Sequence, residues 1–260
     1  MHSRGRAQSS RIRDNEAVTD ELRTVTPSRR STLRRKRERG SYDRQVLDAI
    51  LDEGLICHVG FNDNGATSVI PTTYARMGDA LYLHGAAANH MLLTLTAGVA
   101  ACLTVTLIDG LVLSRSAFHH SMNYRSVVLF GTATEVVDPT EKHVAVLAIV
   151  DHMAPSRSTD VRPPTPRELQ ATRVVRFPIE EGSAKIRSGG PIEEPEDLAL
   201  RGWAGELPLA LVAQGPVPDD GILDGVPVPS YLSSYSRRRE AVRSTHMSPR
   251  RANAGPEPGG

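Results

Sequence analysis

The stretch that decides the fold is residues 55–84, which read LICHVGFNDNGATSVIPTTYARMGDALYLH. Leu55 to Phe61 is an apolar run typical of a buried strand, and Asn62-Asp63-Asn64-Gly65 has the composition of a tight hairpin turn. Thr67 to Arg76 then returns as a second strand, and Ala80 to His84 is a short third one. Consecutive strands joined by such short turns predict antiparallel pairing, not a fold of alternating strands and helices.

Apolar periodicity predicts further elements on both sides of this stretch. The predicted helices are Asp43 to Glu53, Ala86 to Thr96 and Pro139 to Met153, the last opening with Asp138-Pro139. The other predicted strands are Val99 to Ile108, Leu111 to Arg115 beyond a turn at Asp109-Gly110, Tyr124 to Val137 interrupted at Gly131, and Ala171 to Glu181. This order predicts a mainly β protein, a six-stranded antiparallel split β-barrel of Greek-key type with peripheral helices and a C-terminal arm.

Charge is nearly balanced over the 260 residues, with 31 Lys and Arg against 30 Asp and Glu. Residues 1–40 carry a net charge of +7 and residues 237–260 carry +4, so the segment between them, residues 41–236, carries −10. We therefore predict a disordered basic tail over residues 1–32, a barrel domain over 33–190, an arm over 191–236 that packs on the barrel or on a partner subunit, and a disordered basic tail over 237–260. The basic residues of the tails are not interleaved with aromatic ones, so nucleic-acid binding is not expected.

Several classes of function are excluded or disfavoured. Cys57 and Cys102 lie in apolar runs without metal-ligand spacing, which favours reduced thiols over a disulfide or a metal site. The sequence has no run of about 20 apolar residues, so we expect a cytoplasmic protein that does not span a membrane. A nucleophile elbow, a Walker loop and a dinucleotide fingerprint are all lacking.

Three polar clusters remain as candidate binding residues. In the first, Pro71 within a strand predicts an edge position or a kink, where backbone groups are free to meet a planar ligand. In the second, a helix beginning near Asn89 would direct N–H groups at an anion. In the third, strand alternation places Tyr124 and Ser126 on one face and Arg125 on the other. The candidate residues are Ser68, Val69, Ile70, Pro71 and Thr72 in the first cluster, His84, Asn89 and His90 in the second, and Arg115, His119, His120, Asn123, Tyr124, Arg125 and Ser126 in the third. Plainer readings exist: Ser68 and Thr72 as the solvent face of a strand, His84 as a core or edge histidine with its hydrogen bonds satisfied, and His119 and His120 as an exposed loop.

Residues 33–190 resemble the FMN-binding split-barrel proteins of the pyridoxamine 5′-phosphate oxidase-like superfamily, in particular the branch of nitroimidazole-resistance-type flavoproteins. The matching pieces are Arg34-Arg35-Lys36, Val69 to Tyr74, Leu81 to Ala86, Tyr124 to Gly131, Asp138 to Leu147 and Lys185. The resemblance implies a homodimer with FMN at the subunit interface, held by the three clusters above. The sequence departs from many relatives after His84, where a phosphate-binding lysine is replaced by Asn89-His90-Met91.

The resemblance also implies an FMN-dependent oxidoreductase that transfers a hydride between the flavin and a small-molecule substrate. We assign proton delivery to His120 or His84 and the positioning of an anionic group to Arg125 or Arg115. One alternative is a protein without turnover that stores flavin or holds haem through His84, His119 or His120. Another is an interaction module that retains polyanions through its tails. A deazaflavin coenzyme in place of FMN, and a role for Trp203 at the partner's flavin, are also open.

Overall fold

The structure, a computed structural model, describes residues 24–237. Predictions for residues 1–23 and 238–260 lie outside that range. The helices are α1 (Arg44–Glu53), α2 (His90–Thr96), α3 (Pro139–Met153), α4 (Pro166–Ala171) and α5 (Ser230–Ser233). The strands are β1 (Gly40–Ser41), β2 (Ile56–Asp63), β3 (Ala66–Thr73), β4 (Ala75–Met77), β5 (Ala80–Ala86), β6 (Ala100–Leu113), β7 (Ser121–Thr132), β8 (Thr134–Glu135), β9 (Thr172–Pro178), β10 (Glu181–Arg187) and β11 (Gly205–Pro208).

These strands form two antiparallel sheets, which confirms the mainly β architecture. One has seven strands in the order β1-β10-β7-β6-β2-β3, with β11 paired to β6, and the other has four in the order β4-β5-β9-β8. The two sheets share a core. Its buried side chains include Val59, Leu103 and Leu129 from the first sheet, Leu83, Val175 and Phe177 from the second, and Leu47 and Leu92 from α1 and α2.

The chain passes between the sheets at Tyr74, so the single strand predicted over Thr67 to Arg76 is in fact two strands, β3 and β4. Tyr74 is fully buried, and its hydroxyl donates to the carbonyls of Leu51 (2.6 Å) and Gly54 (3.2 Å) at the end of α1. These bonds satisfy a polar group that burial would otherwise leave unpaired.

The turn predicted at Asp109-Gly110 is wrong. β6 runs through this point as one strand with a bulge between Ile108 and Gly110. β11 crosses there so closely that a Cβ on Gly110 would lie 3.0 Å from the Leu207 carbonyl oxygen. The glycine therefore serves a close backbone approach, and no turn forms.

Three other predicted boundaries shift. The predicted strand over Tyr124 to Val137 is divided into β7 and β8, and the one over Ala171 to Glu181 ends at Pro178. The second helix begins at His90, because residues up to Ala86 extend β5. At Gly131 the pairing with β6 continues in register, and a Cβ there would lie 3.4 Å from the Phe177 ring. The strand therefore has no bulge at Gly131, and a Cβ there would make only ordinary van der Waals contact.

Both ends of the described chain lie against the barrel. Residues 24–32, assigned from sequence to a disordered tail, instead place Val25 in the core, where its N–H bonds the Tyr42 carbonyl at 2.9 Å. At the other end, the Arg237 guanidinium donates to the carbonyls of Asp52, Glu53 and Gly54 at the end of α1. No helix within residues 24–237 is long and apolar enough to cross a membrane.

Candidate functional site

The face of the seven-stranded sheet that is turned away from the core, the outer face, is open. Along β2 the side chains of Cys57, Val59 and Phe61 are buried, so alternation turns His58 and Gly60 to the outer face. His58 is exposed and Gly60 is half-buried. A folded domain normally covers both faces of a sheet or makes the open one polar, so an open face is where a ligand or partner is expected.

Two rows of side chains cross the outer face, because residues directly opposite one another on paired strands share a face. The first row is Pro71, His58, Thr104, Val128 and Ser183. The second row is Val69, Gly60, Cys102, Phe130 and Glu181. Gly60, Cys102 and Thr104 at the centre are small, so they leave a flat surface against which a planar ring can lie.

The first predicted cluster lies on β3, which is an edge strand among the described residues. This confirms the edge position predicted for Pro71. Val69 and Pro71 belong to the outer face, whereas Ser68, Ile70 and Thr72 pair with Phe61, Val59 and Cys57 and share their inward face. The cluster is therefore divided between two faces of one strand. Val69 and Ile70 remain 62% and 38% exposed, so both faces of this strand are partly uncovered.

The third predicted cluster is divided as alternation predicts. Tyr124 and Ser126 pair with Ile108 and Thr106, and Arg125 points the other way. Arg125 binds the carboxylate of Glu53 through Nη1 (2.6 Å) and Nη2 (2.8 Å) and that of Asp109 through Nε (2.9 Å) and Nη2 (2.7 Å). Hydrogen bonds to Glu53 and then to Asp109 raise the pKa of Arg125. A phosphate at Arg125 would have to compete with two carboxylates.

Arg115 and Asn123 of this cluster contact the C-terminal arm. Glu193 accepts from the Ser114 hydroxyl (2.9 Å), the Arg115 N–H (2.6 Å) and the Arg115 guanidinium (2.5 Å). Asn123 donates to Glu206 at 2.7 Å and accepts from Arg187. These acidic partners come from beyond the barrel sequence, so the cluster alone gave no sign of them.

The second predicted cluster is split as well. Asn89 caps α2 by accepting from the Leu92 N–H at 3.0 Å, and His90 Nε2 lies 2.6 Å from the Asp63 carboxylate. A carboxylate thus already faces the positive end of this short helix. His84 and Tyr82 share one face of β5, and the Tyr82 hydroxyl donates a hydrogen bond to Glu141 of α3. Phosphate binding at Asn89 and His90 stays a prediction, and the nearby Asp63 opposes it.

The histidines proposed for catalysis have distinct surroundings. His84 Nδ1 is buried without a hydrogen-bond partner among the described residues, and burial lowers the pKa of the ring. The ring is therefore neutral near pH 7, the state that ligates metals. His120 is exposed, with Nδ1 3.1 Å from the Ser116 carbonyl oxygen, and His119 Nε2 lies 3.8 Å from Glu194. The structure does not bring His84 to the outer face.

A group of cations lies at one end of the outer face, in a segment of which residues 28–32 were assigned from sequence to the tail and residues 33–39 to the barrel domain. Residues 28–39, here called the basic turn, include Arg30, whose guanidinium lies 5.0 Å from the centroid of the Phe130 ring and binds Glu181 at 2.8 and 2.7 Å. A cavity of about 590 Å³ opens beside it, lined by Ser28, Arg29, Arg30, Arg34 and Glu181. The arginine-rich composition of residues 28–39 is visible in the sequence, but only the fold shows that this segment lies beside the seven-stranded sheet.

Comparison with known proteins identifies the class. The sequence model of the pyridoxamine 5′-phosphate oxidase family matches residues 43–186, and the chain belongs to this family of flavin-binding split-barrel proteins. A search of curated proteins finds no match.

Solved structures give nearer relatives. The flavocytochrome Anf3 from Azotobacter vinelandii is 36% identical with a TM-score of 0.77, over 82% of this chain and 99% of its own. The FAD and heme binding protein from Mycobacterium smegmatis is 33% identical with a TM-score of 0.72, over 75% of this chain and 96% of its own. A candidate 5-nitroimidazole antibiotic resistance protein from Bacteroides thetaiotaomicron is 24% identical with a TM-score of 0.48, over 56% of this chain and 86% of its own.

Proposed function

We propose that the protein is a flavin-dependent oxidoreductase whose flavin binds on the outer face and exchanges a hydride with a small molecule. The observation that carries the proposal is the flat, open centre of the sheet at Gly60, Cys102 and Thr104, bordered by the free edge strand β3. A planar ring needs an apolar plane and polar groups at its rim. Among residues 24–237, no strand pairs with the outer edge of β3, so backbone groups are available there, and Pro71 contributes no N–H to a ladder.

The residues that would hold the flavin are Val69 and Pro71 on β3, Gly60 at the centre, and Tyr124 and Ser126 on β7. When bound, a flavin supplies a ring that accepts and returns a hydride. The protein's own part is to orient the ring, to exclude water from one of its sides and to move protons. FMN is the flavin implied by the resemblance, and FAD is the one named for the Mycobacterium smegmatis relative.

For proton movement at the outer face, His120 and His84 are the candidates from sequence. His84 does not lie on this face, so His120 and His58 are the candidates for proton movement there. His58 lies on the outer face beside the flat surface formed by Gly60, Cys102 and Thr104. The exposed ring of His58 is within one row of Gly60, so it is placed to exchange protons with a molecule lying there.

We also propose that the active form is a homodimer. Large apolar side chains of the arm are exposed in the single chain, among them Trp203 (67%), Leu211 (78%), Val217 (91%) and Leu223 (77%). An exposed apolar area of this kind usually marks an interface. A second copy would cover the arm and the free edge of β3 together.

A second candidate function is electron transfer with haem beside the flavin. His84 favours it, because a neutral imidazole with a buried, unpartnered nitrogen fits a haem ligand. The names of the two nearer relatives, a flavocytochrome and an FAD and heme binding protein, support the same proposal. His119 and His120 are the other candidate ligands.

The absorption spectrum of the purified protein, reconstituted with flavin, tests the first function. We expect flavin bands from the wild-type protein. Gly60→Leu should weaken flavin binding about tenfold or more, because the leucine side chain would occupy the flat surface at the centre of the outer face. The added Cβ itself would make only ordinary contacts of 3.7 and 3.9 Å, so the fold should tolerate it. Gly215→Leu, in open space on the arm, is the matched control. A wild-type protein that binds no flavin, or a Gly60→Leu variant that binds as well as wild type, would contradict the proposal.

A Soret band after haem reconstitution tests the second function. We expect His84→Ala to lose or shift that band and His119→Ala and His120→Ala to retain it. A wild-type protein without a Soret band argues against haem binding, and an unchanged band in His84→Ala argues against His84 as the ligand.

A further inference from the structure

We infer that the basic turn, residues 28–39, is the subsite for the phosphate groups of the flavin, and that its excess of cations selects the diphosphate of FAD over the single phosphate of FMN. This inference rests on the proposed flavin-binding function. It assigns the phosphate end to a segment that precedes the barrel, not to the start of α2.

The first argument is position. Arg30 stacks on Phe130, the member of the second row on β7. Burial raises the pKa of the Cys102 thiol, and the charge of the nearby Arg30 opposes part of that rise. Cys102, Gly60 and Val69 continue the same row across the sheet. Neighbouring strands are about 4.8 Å apart, so the row from Phe130 to Val69 spans roughly 14 Å. A flavin ring over Gly60 therefore has its sugar chain within reach of the basic turn.

The second argument is unbalanced charge. Arg30 is neutralised by Glu181, but Arg29 and Arg34 line the same cavity of about 590 Å³ and have no acidic partner among residues 24–237. Further cations without one follow in the same turn, at Arg35, Lys36, Arg37 and Arg39. Guanidinium groups bind phosphate with paired, charge-assisted hydrogen bonds, so this cavity is suited to a phosphate or diphosphate.

The third argument is the architecture of the turn. The Ser28 hydroxyl accepts from the N–H groups of Arg30 and Ser31 at 3.2 Å and donates to Glu181. The Thr32 N–H bonds the Ser28 carbonyl at 2.9 Å, and Ser31 is buried. The backbone of the turn is thus held in place, while the side chains of Arg29 and Arg34 are exposed. A preorganised turn with free cations loses little entropy when an anion binds.

The other candidate anion sites are weaker. The start of α2 faces Asp63, Arg125 is held by Glu53 and Asp109, and Arg115 is held by Glu193. Each of these would have to give up a carboxylate before it could bind a phosphate, and Arg29 and Arg34 would not.

The experiment compares riboflavin, FMN and FAD, which share the ring and differ in phosphate content. Affinities are measured by quenching of flavin fluorescence for wild type, for the double variant Arg29→Ser and Arg34→Ser, and for a control double variant, Arg167→Ser and Arg201→Ser. The control removes two exposed arginines that are far from the turn in sequence, so it matches the loss of charge.

We expect the Arg29→Ser and Arg34→Ser variant to bind FAD about tenfold more weakly or worse, FMN less severely, and riboflavin within about twofold of wild type. The control should bind all three as wild type does. Raising the salt concentration should reduce the FAD affinity of wild type more than that of the variant, because the interaction is between charges.

Equal losses for riboflavin and FAD would overturn the inference, since they would show that the turn affects the ring and not the phosphates. Unchanged FAD affinity in the variant would overturn it as well. If wild type binds none of the three flavins, the proposed function itself has failed, and the two failures are thereby distinguished.

Discussion

Tyr74 is the residue at which the chain leaves one sheet for the other, and its hydroxyl fixes the end of α1 beneath the crossing. Burial raises the pKa of this hydroxyl, which stays protonated and donates to two backbone carbonyls. We expect Tyr74→Phe to lower the free energy of unfolding by about 1–2 kcal/mol, the usual cost of losing a buried hydrogen bond. Urea unfolding followed by circular dichroism measures this.

Tyr235→Phe is the control, because it removes the same atom from an exposed hydroxyl that donates to the Met153 carbonyl at 2.8 Å. Its cost should be clearly smaller. Equal losses in the free energy of unfolding for the two variants would show that the buried hydrogen bond at Tyr74 stabilises the fold no more than the exposed one at Tyr235.

Sequence can predict which residues lie together when the cause is a property of neighbouring residues, and it cannot when the cause is packing between distant segments. Strand alternation separated Arg125 from Tyr124 and Ser126 without any structure, and Pro71 marked an edge strand because it lacks a backbone donor. The carboxylates that occupy Arg125 could not be predicted, because Glu53 and Asp109 are brought to it by packing between distant segments.

At the scale of elements, local chemistry set the boundaries of α3, whereas the start of α2 and several strand boundaries depended on strand pairing. α3 begins and ends at the predicted residues, since Asp138 caps it by accepting from the Glu141 N–H and Pro139 takes its first position. The bulge at Gly110 depends on β11, which lies almost a hundred residues later in the chain. A local sequence pattern around Gly110 therefore could not have predicted the bulge.

The arm is fastened to the barrel at Glu193, which makes its attachment sensitive to acid. The Arg115 N–H, then the Ser114 hydroxyl and the Arg115 guanidinium, stabilise the carboxylate and lower its pKa. A group whose pKa is lowered by folding stabilises the fold above its ordinary pKa of about 4.3, and that stabilisation is lost as the pH falls through the lowered value.

Trp203, the only tryptophan, lies between Glu193 and β11 and reports on the arm. We expect its fluorescence to be constant above about pH 5 and to change below about pH 4.3, before the far-ultraviolet circular dichroism of the sheets is lost. Glu193→Gln should show the low-pH fluorescence at neutral pH, and the exposed Glu196→Gln should behave as wild type. Wild-type fluorescence in Glu193→Gln at every pH would contradict this attachment.

At the scale of the whole molecule, the near-balanced charge is the sum of unlike regions. Residues 41–236 carry a net −10, so an anionic cofactor must be bound by local donors against an unfavourable overall field. The basic turn is such a group of donors, and it lies outside the acidic segment. Sequence alone located the charge but not its position beside the outer face, because that position is set by the pairing of residues 24–26 with Asp43 and Glu181.

The exposed apolar side chains of the arm and the edge strand β3 lead us to expect that two copies of the chain associate. A monomer that left Leu211 and Val217 at 78% and 91% exposure would keep a large apolar area in water, at about 25 cal/mol per Å². We expect wild type to be a dimer by light scattering coupled to size exclusion, and Leu211→Asp with Val217→Asp to shift it to monomers, because two buried carboxylates would lack partners. Val137→Asp, at a position 82% exposed outside the arm, should remain a dimer. A monomeric wild type, or a variant that stays dimeric at the same concentration, would show that the arm does not contribute to a subunit interface.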